Sequence, residues 1–202
     1  MIIPLSRKYP SIFGVPVLDR FDSEIFRFSS VSDCMNCRFC EDSCCFYGVD
    51  VDLLNYQRIL EHAERIEQFS GLKAADFFGP IFHPDPEFPG GSYVRTNTVN
   101  KKCVFLKSKP GERGCFLHDY CLRNHLDYHQ LKPMVSTLFP LTFDEGLLHA
   151  MDEVEDATLV CLDQGKPIFR TARAELRYYF GEELVTELDS HERVWLESRN
   201  PV

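Results

Sequence analysis

The segment "DCMNCRFCEDSCCFYGVD", residues 33–50, constrains this chain more than any other. Five of its nine cysteines, Cys34, Cys37, Cys40, Cys44 and Cys45, fall inside it. Cysteine is a commonly buried residue type, but packing alone does not explain so dense a cluster. Disulfides, thiol chemistry and metal ligation are the readings left. Nine is an odd number, so at least one thiol stands outside any paired scheme. The N-terminal stretch shows neither a long apolar run nor a small-residue cleavage site. The expected compartment is therefore the cytoplasm, where thiols stay reduced and crowded cysteines read as metal-binding or catalytic.

Thiolates are soft ligands that select zinc, copper(I) or iron–sulfur clusters. Cys34-x2-Cys37-x2-Cys40-x3-Cys44 has the spacing of the bacterial ferredoxin run, except that Cys45 replaces the proline and no second copy follows. Further along, Cys103, Cys115 and Cys121 are set as C-x11-C-x5-C. Together these eight cysteines are the expected metal ligands. They suffice for two four-coordinate sites, for one 4Fe-4S cluster plus a smaller zinc site, or for one site with spare thiols. The spacing does not assign individual cysteines to individual ions. Cys161, alone in the apolar "TLVCL", reads as core. His118 follows Cys115 at a workable spacing, and His125 and His129 are four apart, yet each reads first as a polar surface residue.

The chain has 202 residues, 44% of them hydrophobic, with 17 Phe and 8 Tyr, enough for a sizeable core. Its formal charge of −9 argues against nucleic acid and against anionic membrane surfaces, which attract clustered Lys and Arg. No run approaches the roughly 18 apolar residues of a membrane span. The expected partner is another protein.

Periodicity and turn signals give an α+β reading: a small irregular domain with a β-hairpin region and flanking helices, organised around the cysteine-ligated centre. Residues 1–202 read as a single domain, with a cysteine-cluster core over about 34–142 and a strand and helix extension over about 143–202. Residues 1–33 look like an irregular lead-in. "VDVDLLNYQRILEHAERIEQFSG" predicts an amphipathic helix capped by Asp50 or Asp52 and stopped by Gly71. The Pro- and Gly-rich stretch 79–91 reads as a loop, and 92–103 as a hairpin turning near 97–100. "CFLHDYCLRNHLDYHQL" starts as a short strand and turns helical after Asp119. Residues 134–165 read as short strands around polar turns. The seven acidic residues between Asp144 and Asp163 form a solvated face. Two helices, about 171–180 and 182–197, close the chain.

Cys37-x2-Cys40-x3-Cys44-Cys45 spells CxxCxxxCC and resembles the YkgJ-type cysteine-cluster family, described as a zinc- or iron-chelating domain. The resemblance continues in "CVFLKSKPGERGCFLH" at Cys103, Leu106, Gly114 and Cys115, and in "KPMVSTLFPL" at Lys132, Pro133, Phe139 and Pro140. It covers about residues 34–142. One departure is that Ser136 stands where the family carries a further cysteine; Cys121 is the candidate substitute. The family implies metal binding, as an iron–sulfur cluster, iron or zinc. The expected function is thus a metal-binding protein holding an iron–sulfur cluster or iron, with a redox or accessory role. The alternative is a zinc-stapled structural or protein-interaction module. No catalytic residue is assigned. A thiol oxidoreductase built on C-x2-C lacks the expected βαβ pattern.

Overall fold

The computed structural model describes residues 1–31, Met35, 42–107 and 111–199. The chain divides into two compact units, with boundaries at Ser32/Asp33 and Thr137/Leu138. Both chain ends belong to the first unit, and the second is contiguous in sequence. The sequence reading treats 1–202 as one domain with a core over 34–142, so the structure adds a division that periodicity does not reveal. The α+β class holds: helices and several small antiparallel or mixed sheets alternate along the described chain.

The first unit starts with β1 (Ile2–Pro10) and β2 (Val17–Asp22), which pair antiparallel. The stretch expected to be an irregular lead-in is thus part of a sheet. β1 buries Leu5 and Tyr9 alone, four residues apart, so it never shows the period-two signal of a half-buried strand. A two-residue strand, β3 (Ser29–Ser30), follows.

The second unit begins, among the described residues, with a tight turn at Ser43–Cys45. After it come β4 (Asp50–Asp52), α1 (Leu53–Glu61) and α2 (Ala63–Ser70). The Asp52 side chain accepts the Asn55 N–H at 2.8 Å and so caps α1. Gly71, at φ 76°, ends α2 in the left-handed conformation expected of a stop. One helix was expected here, but the axis breaks at His62, whose ψ of 1° leaves the helical range. Ile59 and Ile66 still face the same core, with Val51, Phe77 and Val94.

The stretch expected to be a Pro- and Gly-rich loop holds β5 (Phe78–Pro84), the outer strand of a sheet ordered β4, β6 (Ser92–Thr96), β5. Prolines are tolerated there because an edge strand needs fewer N–H donors. β7 (Thr98–Val99) and β8 (Lys102–Cys103) close the expected hairpin; Asn100 and Lys101, at φ 54° and 64°, form its two-residue turn. α3 (Phe116–Arg123) begins three residues before Asp119, earlier than expected. α4 (Met134–Leu138) is helical where strands were expected.

Returning to the first unit, β9 (Leu141–Asp144) and β10 (Leu147–Ala150) form a hairpin turning at Glu145 and Gly146. β10 also pairs parallel to β2, giving the sheet order β1-β2-β10-β9. α5 (Asp152–Glu155) and β11 (Lys166–Pro167) lead to α6 (Ile168–Phe180) and α7 (Glu182–Arg199). β11 pairs antiparallel to β3. Arg170 and Arg173 on α6 reach Glu192 and Asp189 on α7, fixing the helix pair. Among the described residues no helix is long and apolar enough to cross a membrane.

Candidate functional site

Backbone links bring the segments that carry Cys44, Cys45, Cys103 and Cys115 together around one turn. Asp42, at φ 57°, lets the chain reverse into the Ser43–Cys45 turn, and its carbonyl accepts the Cys45 N–H at 2.8 Å. Left-handed backbone is a conformation that Asp tolerates better than most residues. The Asp42 side chain is 2% exposed, and its Oδ2 accepts the Gly114 N–H at 3.2 Å. That bond ties the turn to the loop just ahead of Cys115.

Four further backbone links assemble the region. Phe46 bridges Lys102, and the Tyr47 N–H donates to the Lys101 carbonyl at 3.0 Å, which runs Cys45 alongside β8 and Cys103. Leu106 bridges Cys115, and the Phe116 N–H donates to the Phe105 carbonyl at 2.7 Å. Gly48 permits the close pass that follows: at φ 80°, an added Cβ would lie 2.8 Å from the Thr96 carbonyl oxygen. The Thr96 hydroxyl accepts the Val49 N–H at 2.9 Å and lies 3.4 Å from Cys103 Sγ. Its own hydrogen can therefore be directed at that sulfur.

The thiols differ in character. Hydrogen bonding from the Cys45 thiol holds Cys44 below the ordinary thiol range, against burial and the Asp42 carboxylate; the Lys132 ammonium adds to the lowering. Cys44 is half-buried and Lys132 is 9% exposed. Burial pushes Cys103 up. Burial, with Cys103 beside it, pushes Cys115 up to about 12, although Cys115 caps the N-terminus of α3, where helix amides favour an anion. Cys121, inside α3 and fully buried, is raised to about 11 by burial and then by Asp127.

Cys34, Cys37 and Cys40 lie outside the described residues. Cys44, Cys45, Cys103, Cys115 and Cys121 belong to the second unit, and Cys161 to the first. Cys161 is buried as a core residue, as the sequence implied.

The expected metal-binding function is overturned. Among the described residues, no group of three or more His, Cys, Asp and Glu side chains is arranged to hold a metal ion. The structure gives physical reasons. Cys103 and Cys121 lie within the unit's buried apolar cluster, and Cys115 packs against it. Cys121 points from a helix into packed core, and Cys44 is committed to Cys45. Among the described residues, then, nothing supports the iron–sulfur or iron protein or the zinc-stapled module.

The histidines are placed differently from ligands. His118 and His129 flank the Tyr128 ring with centroids 4.5 and 4.1 Å away, and His129 Nδ1 contacts Asp127 at 2.5 Å. His125 lies beyond the end of α3 at φ 54°, so it and His129 share no helical face.

Two residues that matter here were not singled out as site residues by the sequence. Asp42 bore a usable signal, an Asp directly before the Ser-Cys-Cys turn. Lys132 was matched within the "KPMVSTLFPL" motif, but nothing local marks its ammonium as lying near thiols some ninety positions earlier. Comparison of the chain with family models, with curated proteins and with solved structures finds no match to any of the three.

Proposed function

We propose that the chain is a thiol–disulfide exchange protein whose reactive group is Cys44. The observation that supports this reading best is geometric. Cys44 and Cys45 are neighbours on one tight turn and Cys44 is half-buried; beside that geometry, the Cys45 thiol and then the Lys132 ammonium favour the Cys44 thiolate. The thiolate is the nucleophile in exchange, and an adjacent cation favours it. The resemblance to the cysteine-cluster family, at Cys44, Cys45, Cys103, Gly114 and Cys115, is read here as kinship in how the thiols converge.

In the step proposed, Cys44 Sγ attacks one sulfur of a disulfide R–S–S–R. A Cys44–S–S–R bond forms, the original S–S bond breaks, and R–S⁻ departs and takes a proton from water. A second R–SH reverses the step, so no further oxidant or reductant is required. Cys45 acts as the hydrogen-bond donor to the thiolate. Neighbouring Cα atoms lie about 3.8 Å apart across a trans peptide, short of the roughly 4.4–6.8 Å usual for a disulfide. Closing Cys44 onto Cys45 would therefore be strained.

The test is reaction of the reduced protein with an aromatic disulfide that releases a coloured thiolate, followed by peptide mapping. Cys44, with its thiol lowered, is expected to react at least about tenfold faster than Cys121, whose thiol burial pushes up to about 11. Lys132→Gln should slow Cys44 several-fold with unchanged circular dichroism. If Cys44 reacts in the folded chain no faster than buried Cys121, the proposal fails.

A further inference from the structure

We propose that the free edge of β5 docks a short extended segment of another protein in which Lys or Arg alternates with apolar residues. β5 is the outer strand of its sheet and, among the described residues, pairs with β6 alone. Which of its backbone groups face outward follows from the ladder. The Asp85 N–H donates to the Gly91 carbonyl at 3.0 Å, so residues 85 and 91 form a hydrogen-bonded pair. Antiparallel pairs alternate between hydrogen-bonded and non-hydrogen-bonded. In the register Pro84↔Ser92, His83↔Tyr93, Phe82↔Val94, the alternation makes Phe82 a non-hydrogen-bonded position relative to β6. Its N–H and C=O therefore point to the open edge. Pro84 shares that facing but has no N–H to offer.

An edge with prolines on it resists long strand pairing. Here Pro80 and Pro84 bracket a window centred on Phe82, wide enough for one residue of a visiting strand to exchange two hydrogen bonds. The flanking side chains are apolar and open: Ile81 is 62% and Phe82 43% exposed. The Phe82 ring meets Tyr56 edge-on at 5.2 Å, and Tyr56 packs on Phe78 at 4.8 Å, so one face of the window is an aromatic shelf.

Charge decides the occupant. Residues 74–94 contain Asp76, Asp85 and Glu87 and no Lys or Arg. The cations that flank this stretch are Lys73 and Arg95, and Arg95 is engaged by Asp50 at 2.9 Å. A basic segment would find complementary charge around the window. A second copy of β5 would bring like charges and two more prolines against it, which disfavours self-pairing. Strand addition of this kind takes affinity from the main chain and selectivity from alternate side chains.

The test titrates isotopically labelled full-length protein with a capped hexapeptide of alternating Lys and Val. A Glu-Val counterpart and a Lys-Val peptide N-methylated at its centre serve as controls. The Phe82 amide is expected to shift and to exchange at least about tenfold more slowly when bound, the change one added hydrogen bond produces. The Glu-Val and N-methylated peptides should bind at least about tenfold more weakly, and added salt should weaken the Lys-Val peptide. Asp85→Lys should also weaken it, while the peptide controls need no altered protein. Equal binding of the Glu-Val and Lys-Val peptides, perturbations that leave Phe82 untouched, or dimerisation through β5 without peptide would each overturn the proposal.

Discussion

Asp119 lies between Lys107 and Arg123 with 11% of its side chain exposed, and Lys107 is just as buried, at 10%. Burial alone would raise its carboxyl, but hydrogen bonds from Lys107 and from Arg123, the latter at 3.1 Å, outweigh that and hold it below the usual range. A depressed carboxylate stabilises the fold above its unfolded value near 3.9, and the contribution is lost as pH falls through the folded value. Lys107→Met should therefore cost about 1.5–3 kcal/mol at pH 7, the range for a hydrogen bond to a charged group. It should also flatten the decline in stability below about pH 4. Urea unfolding at pH 7 and pH 3 tests both, and equal losses at the two values would refute the assignment. Residues of this kind explain what the sequence could and could not show. The clustering of Cys44 and Cys45 is visible in one line of text. That Cys103 and Cys115 are driven toward the neutral thiol is not visible, because burial depends on what the fold packs around each sulfur.

Among the elements, α1 shows how far local rules reach. Asp50 or Asp52 was read as the cap and Gly71 as the stop because capping depends on residues within a turn of each other; Asp52 is the cap and Gly71 the stop. The break at His62 was hidden because the apolar spacing continues across it. β5 was missed for a related reason: Pro80 and Pro84 argue against a strand until its place at a sheet edge is known. The cap at Asp52 also carries a testable charge effect. Burial raises its carboxyl despite the Asn55 N–H bond. A raised carboxyl favours the fold below its unfolded value, and that advantage is lost as pH rises through the folded one. At pH 7 the ionised form is thus a cost carried by an otherwise useful cap. Asp52→Asn, which keeps an acceptor without the charge, should match or exceed the parent in thermal melts at pH 7. Asp52→Ala should lose about 1 kcal/mol. If the Asn variant falls as far as the Ala variant, the charge rather than the acceptor is what α1 uses.

For the whole molecule, the partition into two units was the least legible feature, since it depends on pairings between distant parts of the chain. Leu148 on β10 sits opposite Phe21 of β2 in parallel register and Phe143 of β9 in antiparallel register. Strands from the two ends of the sequence thereby complete one sheet, and no window of ten or twenty residues contains that information. The contiguous unit keeps its own buried cluster, with Ile59, Ile66, Phe77, Val94 and Phe105 among its members. Two cores imply that damage to one need not spread to the other. Leu148 is fully buried on a central strand, so Leu148→Ala should cost about 2–5 kcal/mol through lost burial and the cavity left behind. Hydrogen exchange read by mass spectrometry should then show faster exchange in β2, β9 and β10, with protection retained at Ile59 and Val94. That pattern would mark each unit as a separate cooperative body. A uniform loss of protection across both cores would show instead that the chain unfolds as one.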